Sequence, residues 1–198
     1  MLKYTEFILE KFNTIEHLKE RGVDVKKTRV IIDDEHGDVF FFLYNLSGQM
    51  VGYQKYNPKY PKTGQNKVSD PRMVKYFIWA TREDKGPKIA VWGLESTNFT
   101  DKYVFIVEGV FDAARIHEAG YPAVATLCND PNSSMRSWLA TIPQKKIVIY
   151  DNDGNKDSLK LQTVGDYSFT VPSGKDMNDL SPEEAKVFLK KCLDESNI

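Results

Sequence analysis

From Tyr103 to the C-terminus the chain alternates short apolar runs with helical segments, and this alternation limits the possible folds more than any other feature. Tyr103–Val107, Ala123–Leu127, Lys146–Tyr150 and Tyr167–Val171 read as strands, being rich in β-branched and aromatic residues. A helix over Phe111–Ala119, closed by Gly120, separates the first two. The next helix is opened by Asp130-Pro131 and presents Met135, Trp138 and Leu139 inward. A poorly patterned segment follows Asp151. The last helix starts at Ser181-Pro182-Glu183-Glu184, a capping box with proline at the first helical position, and carries the apolar stripe Ala185, Phe188, Leu189, Cys192, Leu193. Short apolar strands alternating with helices predict an α/β fold: a mostly parallel sheet with helices on both faces.

The first hundred residues follow another pattern. Tyr4, Phe7, Ile8, Phe12, Ile15 and Leu18 recur at helical spacing over residues 3–21, with Gly22 as the stop and Asn13/Glu16 as an internal capping pair. Val39–Tyr44 and Met50–Tyr53 form a hairpin around Asn45-Leu46-Ser47-Gly48. Gln54 to Arg72, with three prolines and no period, reads as a long loop. Strands are expected again at Val74–Ala80 and Lys88–Trp92. A boundary near residue 100 divides a smaller α+β unit, 1–100, from the β-α unit, 101–198.

Net charge becomes informative when it is located. The whole chain is −1, but residues 51–90 hold nine basic and three acidic residues, a local +6 that leaves −7 elsewhere. The cations Lys55, Lys59, Lys62, Lys67, Arg72, Lys75 and Arg82 are interleaved with Tyr53, Tyr56, Tyr60, Tyr76, Phe77 and Trp79. Such side chains neutralise phosphates and stack on unpaired bases, each stack contributing roughly 1–3 kcal/mol. The plain alternative is a solvated loop anchored by its aromatics. Two cysteines, Cys128 and Cys192, are too few for a disulfide framework or a four-cysteine zinc site, and no apolar run approaches a membrane span. With no signal-peptide pattern at Met1, a reducing cytoplasmic setting is expected.

The chemistry-bearing residues are acids at strand ends. Glu108 ends the first strand of the β-α half and is followed by Gly109 and, one helical turn on, Asp112. Asp151 ends the third and is paired with Asp153 across one residue. Lys175-Asp176-Met177-Asn178-Asp179 forms a third acidic segment after the fourth. In open α/β sheets sites lie at the carboxyl ends of strands, so these segments are expected to meet at one edge. Carboxylates at that edge suit magnesium, which takes oxygen ligands and retains water and substrate phosphates. Singly, each segment reads equally well as a turn or a helix cap. The Asp151 stretch fails as a calcium loop, with Lys156 and Gln162 at the glycine and glutamate positions, and Gly174-Lys175 fails as a P-loop.

Glu108-Gly-x-x-Asp112 after an apolar strand, then Asp151-x-Asp153 after another, resembles the Toprim domain of primases, topoisomerases and related nucleases. Lys175–Asp179 is similar to the Lys-Asp-x-Asn-Asp/Glu motif of phage primase–helicase proteins, and His17–Val23 to the Leu-x-x-Arg-Gly-Ile segment of primase catalytic cores. The Leu46–Gly52 hairpin resembles the basic N-terminal subdomain of those cores.

The resemblance implies a Toprim, Rossmann-like fold and a phage-type DNA primase core that makes RNA primers on single-stranded DNA from nucleoside triphosphates. It makes Glu108 the metal-linked acid or general base, with Asp112 supporting it and Lys175 contacting phosphate. Glu108, Asp151, Asp153 and Asp176 would hold Mg2+ or Mn2+, without zinc, and a separate helicase or template-recognition protein would assist. A Toprim nuclease and a catalytically weak nucleic-acid-binding replication protein are the alternatives.

Overall fold

A computed structural model describes the chain except for residues 1–12, 46, 63–69, 71, 82–88, 99, 129, 152–155 and 173, and of residues 156–159 it gives the backbone alone. The start of the predicted N-terminal helix, with Tyr4, Phe7, Ile8 and Phe12, therefore lies outside the described residues. The described helix, α1 (Thr14–Glu20), begins where Asn13 caps it, the Asn13 side chain accepting from the Glu16 amide at 3.1 Å. It ends at Gly22, whose φ of +79° is cheap only for glycine.

Four antiparallel strands follow in the order β1 (Val30–Asp33), β2 (Asp38–Tyr44), β3 (Met50–Tyr56) and β4 (Tyr76–Ala80). The β2–β3 hairpin matches the sequence reading. Strand β1 was not foreseen, because Val30–Asp33 offers only four residues with no alternation to mark them. On β2, Val39, Phe41 and Leu43 are buried and the residues between them are half-buried. Gly52 of β3 is required by packing, since a Cβ there would stand 2.1 Å from the Trp79 carbonyl oxygen.

The second sheet is wholly parallel, ordered β6 (Ala123–Ala125), β5 (Tyr103–Val107), β7 (Lys145–Tyr150), β8 (Tyr167–Thr170). Strict alternation sorts its side chains. Phe105, Val107, Ile147 and Ile149 enter one core with helices α2 (Val110–Glu118) and α4 (Pro182–Glu195). Val104, Ile106 and Val148 enter the other, with Met135, Trp138 and Leu139 of α3 (Ser133–Ala140) and Leu161. Helices thus cover both faces, as the alternating pattern requires.

Of the expected strand at Lys88–Trp92, Lys88 lies outside the described residues and the remainder is instead a connector. Val91 bridges to Tyr44 of β2 and Trp92 to Ala125 of β6, so two consecutive residues join the two sheets. The larger core is continuous across them: Phe41 of β2 packs edge-on against Trp92 (6.1 Å) and against Phe111 of α2 (5.6 Å). Phe41→Ala removes a fully buried ring from this junction and is expected to cost about 3–5 kcal/mol. Urea unfolding followed by far-UV circular dichroism should give one transition shifted to lower denaturant; two separate transitions would show that the halves unfold independently.

Candidate active site

The strand order fixes where ligands meet the parallel sheet. From β5 the chain crosses to β6 on one side, then returns past β5 to β7 on the other, so the direction of winding reverses between β5 and β7. The crevice outside the carboxyl ends at such a reversal is the binding position of open α/β sheets. Glu108 follows β5 there and Asp151 follows β7, so the two acids end neighbouring strands as the sequence predicted. Asp153 lies outside the described residues.

Asp112 stands in the first turn of α2 and folds back over Gly109. Its Oδ2 accepts the Gly109 amide at 3.2 Å, and a Cβ on Gly109 would come within 2.6 Å of that oxygen. The other oxygen, Oδ1, accepts the Asn178 amide at 3.3 Å, which draws the third acidic segment onto α2. Burial, and then the negative charges of Asp151 and Asp176, hold the Asp112 carboxyl well above the usual carboxylate range. Three acids from three segments therefore feel one another. Asp176 also caps the turn Met177–Asp179, accepting the Asp179 amide at 2.8 Å, while the Asp179 carboxylate accepts the Asp176 amide at 3.0 Å. Lys175 reaches Glu184 at 3.5 Å, at the start of α4. Asp130 is paired with Arg136 at 3.0 Å and with Lys160 at 3.1 Å.

The donor set is hard oxygen, and burial, with the repulsion of its neighbours behind it, raises the proton affinity of one member; a divalent cation would relieve the repulsion. Among the described residues no three acidic, histidine or cysteine side chains already close on one point that would hold a metal ion.

A cationic wall stands beside these acids. Arg21, at the end of α1, lies 3.8 Å over the Phe111 ring and donates from Nε to the Asn178 side-chain oxygen at 2.7 Å. Its Nη1 donates to the Tyr76 hydroxyl at 3.4 Å and the Tyr56 hydroxyl at 3.5 Å. Burial, with the positive charges of Arg21 and Lys62, lowers the proton affinity of Lys75. Burial and the Arg21 charge do the same to His17, whose Nε2 is 2.7 Å from the Tyr56 hydroxyl. Arg21, Lys62 and Lys75 thus form one crowded cationic group, suited to an anion with several charges.

Of the other cations named from sequence, Lys55 is buried against Asp38 at 3.4 Å with Tyr60 over it. Arg72 is held by Asp70 at 2.7 Å, and Lys59 lies by the β1–β2 turn at Gly37. Lys67 and Arg82 lie outside the described residues. The sequence reading missed Arg21, His17 and Asn178 as site residues. The available signal was a cation directly before the helix-stopping glycine, and an amide between two acids in a turn.

The chain matches no protein-family model and no curated protein. Solved structures do match. The Aquifex aeolicus primase (zinc-binding and RNA polymerase domains) aligns with a TM-score of 0.64 and 17% identity, covering 91% of this chain and 55% of that one. The DnaG primase catalytic domain bound to single-stranded DNA gives 0.60 and 18%, covering 91% and 60%. The E. coli primase catalytic core gives 0.58 and 19%, covering 91% and 59%. The chain spans 55–60% of the length of these three.

Asp112→Asn tests the crowding of the acids. The native state holds the Asp112 proton more tightly than the unfolded chain does, so ionising Asp112 costs stability as pH rises above the ordinary carboxylate range. The melting temperature of Asp112→Asn relative to wild type, both in EDTA, should therefore increase from about pH 4 to about pH 8. A difference that shrinks over that interval would show that the two amide bonds outweigh the repulsion. The architecture that brings these charges together, an antiparallel sheet packed beside a parallel one, is the fold of the DnaG primase catalytic core.

Proposed function

We propose that this chain is a phage-type primase core that synthesises RNA primers on single-stranded DNA in a magnesium-dependent reaction. The observation that carries the reading is the opposition of two charge clusters. Glu108 and Asp151 lie at the winding reversal of the parallel sheet, Arg21 lies across Asn178 from Asp112, and the charges of Arg21 and Lys62 act on Lys75. Phosphoryl transfer needs both: acids to receive a proton and organise cations, and positive charge to meet the phosphates.

In this reading the Glu108 carboxylate takes the proton of a 3′-hydroxyl as that oxygen bonds to the α-phosphorus of a nucleoside triphosphate. Pyrophosphate leaves against Arg21, Lys62 and Lys75. Asp151, Asp153 and Asp176 would hold magnesium, which when bound supplies Lewis acidity at the phosphates. Lys175 would serve phosphate once released from Glu184. A helicase or template-recognition protein acting in trans would direct the core to its template in the cytoplasm.

The test is primer synthesis from labelled nucleotides on single-stranded DNA with magnesium. Wild type should yield short RNA products, and Glu108→Gln should lower the rate by at least about a hundredfold, the low end for loss of a positioned general base. Shortened DNA in place of primers would identify a nuclease, and strand binding without either product would identify a binding protein. Lys62→Ala with Lys75→Ala should weaken nucleotide binding and flatten its salt dependence; an unchanged slope would remove the cationic wall from the reading.

A further inference from the structure

On one face of the antiparallel sheet the side chains enter the larger core, and on the other, among the described residues, only Lys55 is buried, paired with Asp38 and lying against Tyr60. The inner residues Val39, Phe41, Leu43 and Tyr56 belong to the larger core, so the other face should be polar in a solvated sheet. It is not. The strand register places Ile31 beside Phe40, Phe42 beside Tyr53, and Tyr53 beside Trp79, all on the outer side. None of these five residues joins either core cluster, and Ile31 and Trp79 remain 54% and 47% exposed. Three of the rings form a row across β2, β3 and β4. Phe40 meets Tyr53 edge-on at 5.4 Å, and Tyr53 lies against Trp79 at 5.7 Å with 22° between the ring planes.

We propose that this outer face is a stacking surface for unpaired bases of single-stranded nucleic acid, distinct from the cleft between the charge clusters. Two observations select a nucleic acid over a protein partner. First, the apolar residues are chiefly flat rings arranged side by side, and aromatic rings on adjacent strands of a four-stranded antiparallel sheet are a platform on which successive bases stack. Second, β3, β4 and the chain on either side of them lie within the window that carries +6. Arg72 stands near Tyr53, paired with Asp70 at 2.7 Å. Aromatic rings within a basic stretch of chain suit a polyanion with π faces. The inference deepens the primase reading by giving the template strand a hold away from the chemistry.

The experiment is equilibrium binding of a labelled oligo-dT of about 12 nucleotides, without nucleotides or metal, at several salt concentrations. Trp79→Ala should weaken binding about tenfold or more and leave the salt slope unchanged, because a stack is lost and no phosphate contact is. Tyr53→Ala should behave likewise and Trp79→Phe should restore most of the affinity. Circular dichroism of each variant establishes that it is folded. Binding by Trp79→Ala and Tyr53→Ala within twofold of wild type overturns the proposal. So does a wild-type dimer that Trp79→Ala converts to monomer without loss of strand affinity, which would make the face a self-association surface. Primer synthesis assayed alongside binding separates this inference from the primase reading. Trp79-dependent binding with no primer synthesis by wild type sinks the primase reading alone, and primer synthesis with Trp79-independent binding sinks the stacking face alone.

Discussion

Asn178 holds the two halves of the site in one geometry. Its side-chain amide donates to the carbonyl oxygens of Arg21 (2.9 Å) and Phe111 (3.3 Å), while its side-chain oxygen accepts from Arg21 and its backbone amide donates to Asp112. One residue thus satisfies the end of α1, the first turn of α2 and the acidic turn after β8. Arg115, 5% exposed, strengthens the same junction by donating to the Glu20 carbonyl at 2.8 Å and pairing with Glu118. Partly buried polar groups of this kind are stabilising only when satisfied, so the network sets geometry more than it adds net stability. With Asn178 in place, the acids of the parallel sheet and the cations beside the antiparallel sheet cannot drift apart independently.

That geometry opposes the stability of the isolated fold. Asp112 is held where burial and two neighbouring carboxylates disfavour its charge, and Lys75 and His17 where burial and Arg21 disfavour theirs. Each cluster is strained by its own sign and relieved by a ligand of the other. A site arranged in this way is suited to a cation on one side and an anion on the other. Elsewhere the charges are conventionally paired, as in Lys55–Asp38, Arg72–Asp70 and Lys146–Asp166.

The β-α half was legible in the sequence because its signals are local. Strand β5 was read with the bounds the structure gives, and the capping box at Ser181 is formed, with Glu184 Oε2 accepting the Ser181 amide at 2.8 Å. The placing of Glu108 and Asp151 at one edge was expected because each ends an apolar strand of the β-α half. The antiparallel half was read less well, because its organisation is carried by pairings distant in sequence. Val91 and Trp92 look like part of a strand by composition, yet each pairs with a different sheet. Arg21 and Asn178 are 157 positions apart, and no spacing rule connects them. The cationic window was seen as one surface, whereas the structure divides it: Lys62 and Lys75 stand with Arg21, and Lys55 and Arg72 are engaged by acids.

Leu127 shows why part of a site escapes sequence reading even at a strand end. Its φ of +60° places it in the left-handed region, which costs an L-residue about 1–2 kcal/mol and which sequence patterns assign to glycine or asparagine. The conformation is imposed from outside. The Leu127 amide donates to the Glu108 carbonyl at 2.8 Å, the Thr126 hydroxyl donates to the Cys128 carbonyl at 2.8 Å, and the Leu127 side chain packs on the main core. Together these bend the chain at the end of β6 toward Glu108, and the Glu108 charge contributes to raising the proton affinity of the Cys128 thiol, behind the larger effect of burial. Strain of this order persists only where surrounding contacts over-determine it. Here those contacts fix the backbone on which Glu108 stands, so the leucine is explained by the position of the acid and not by its own preference.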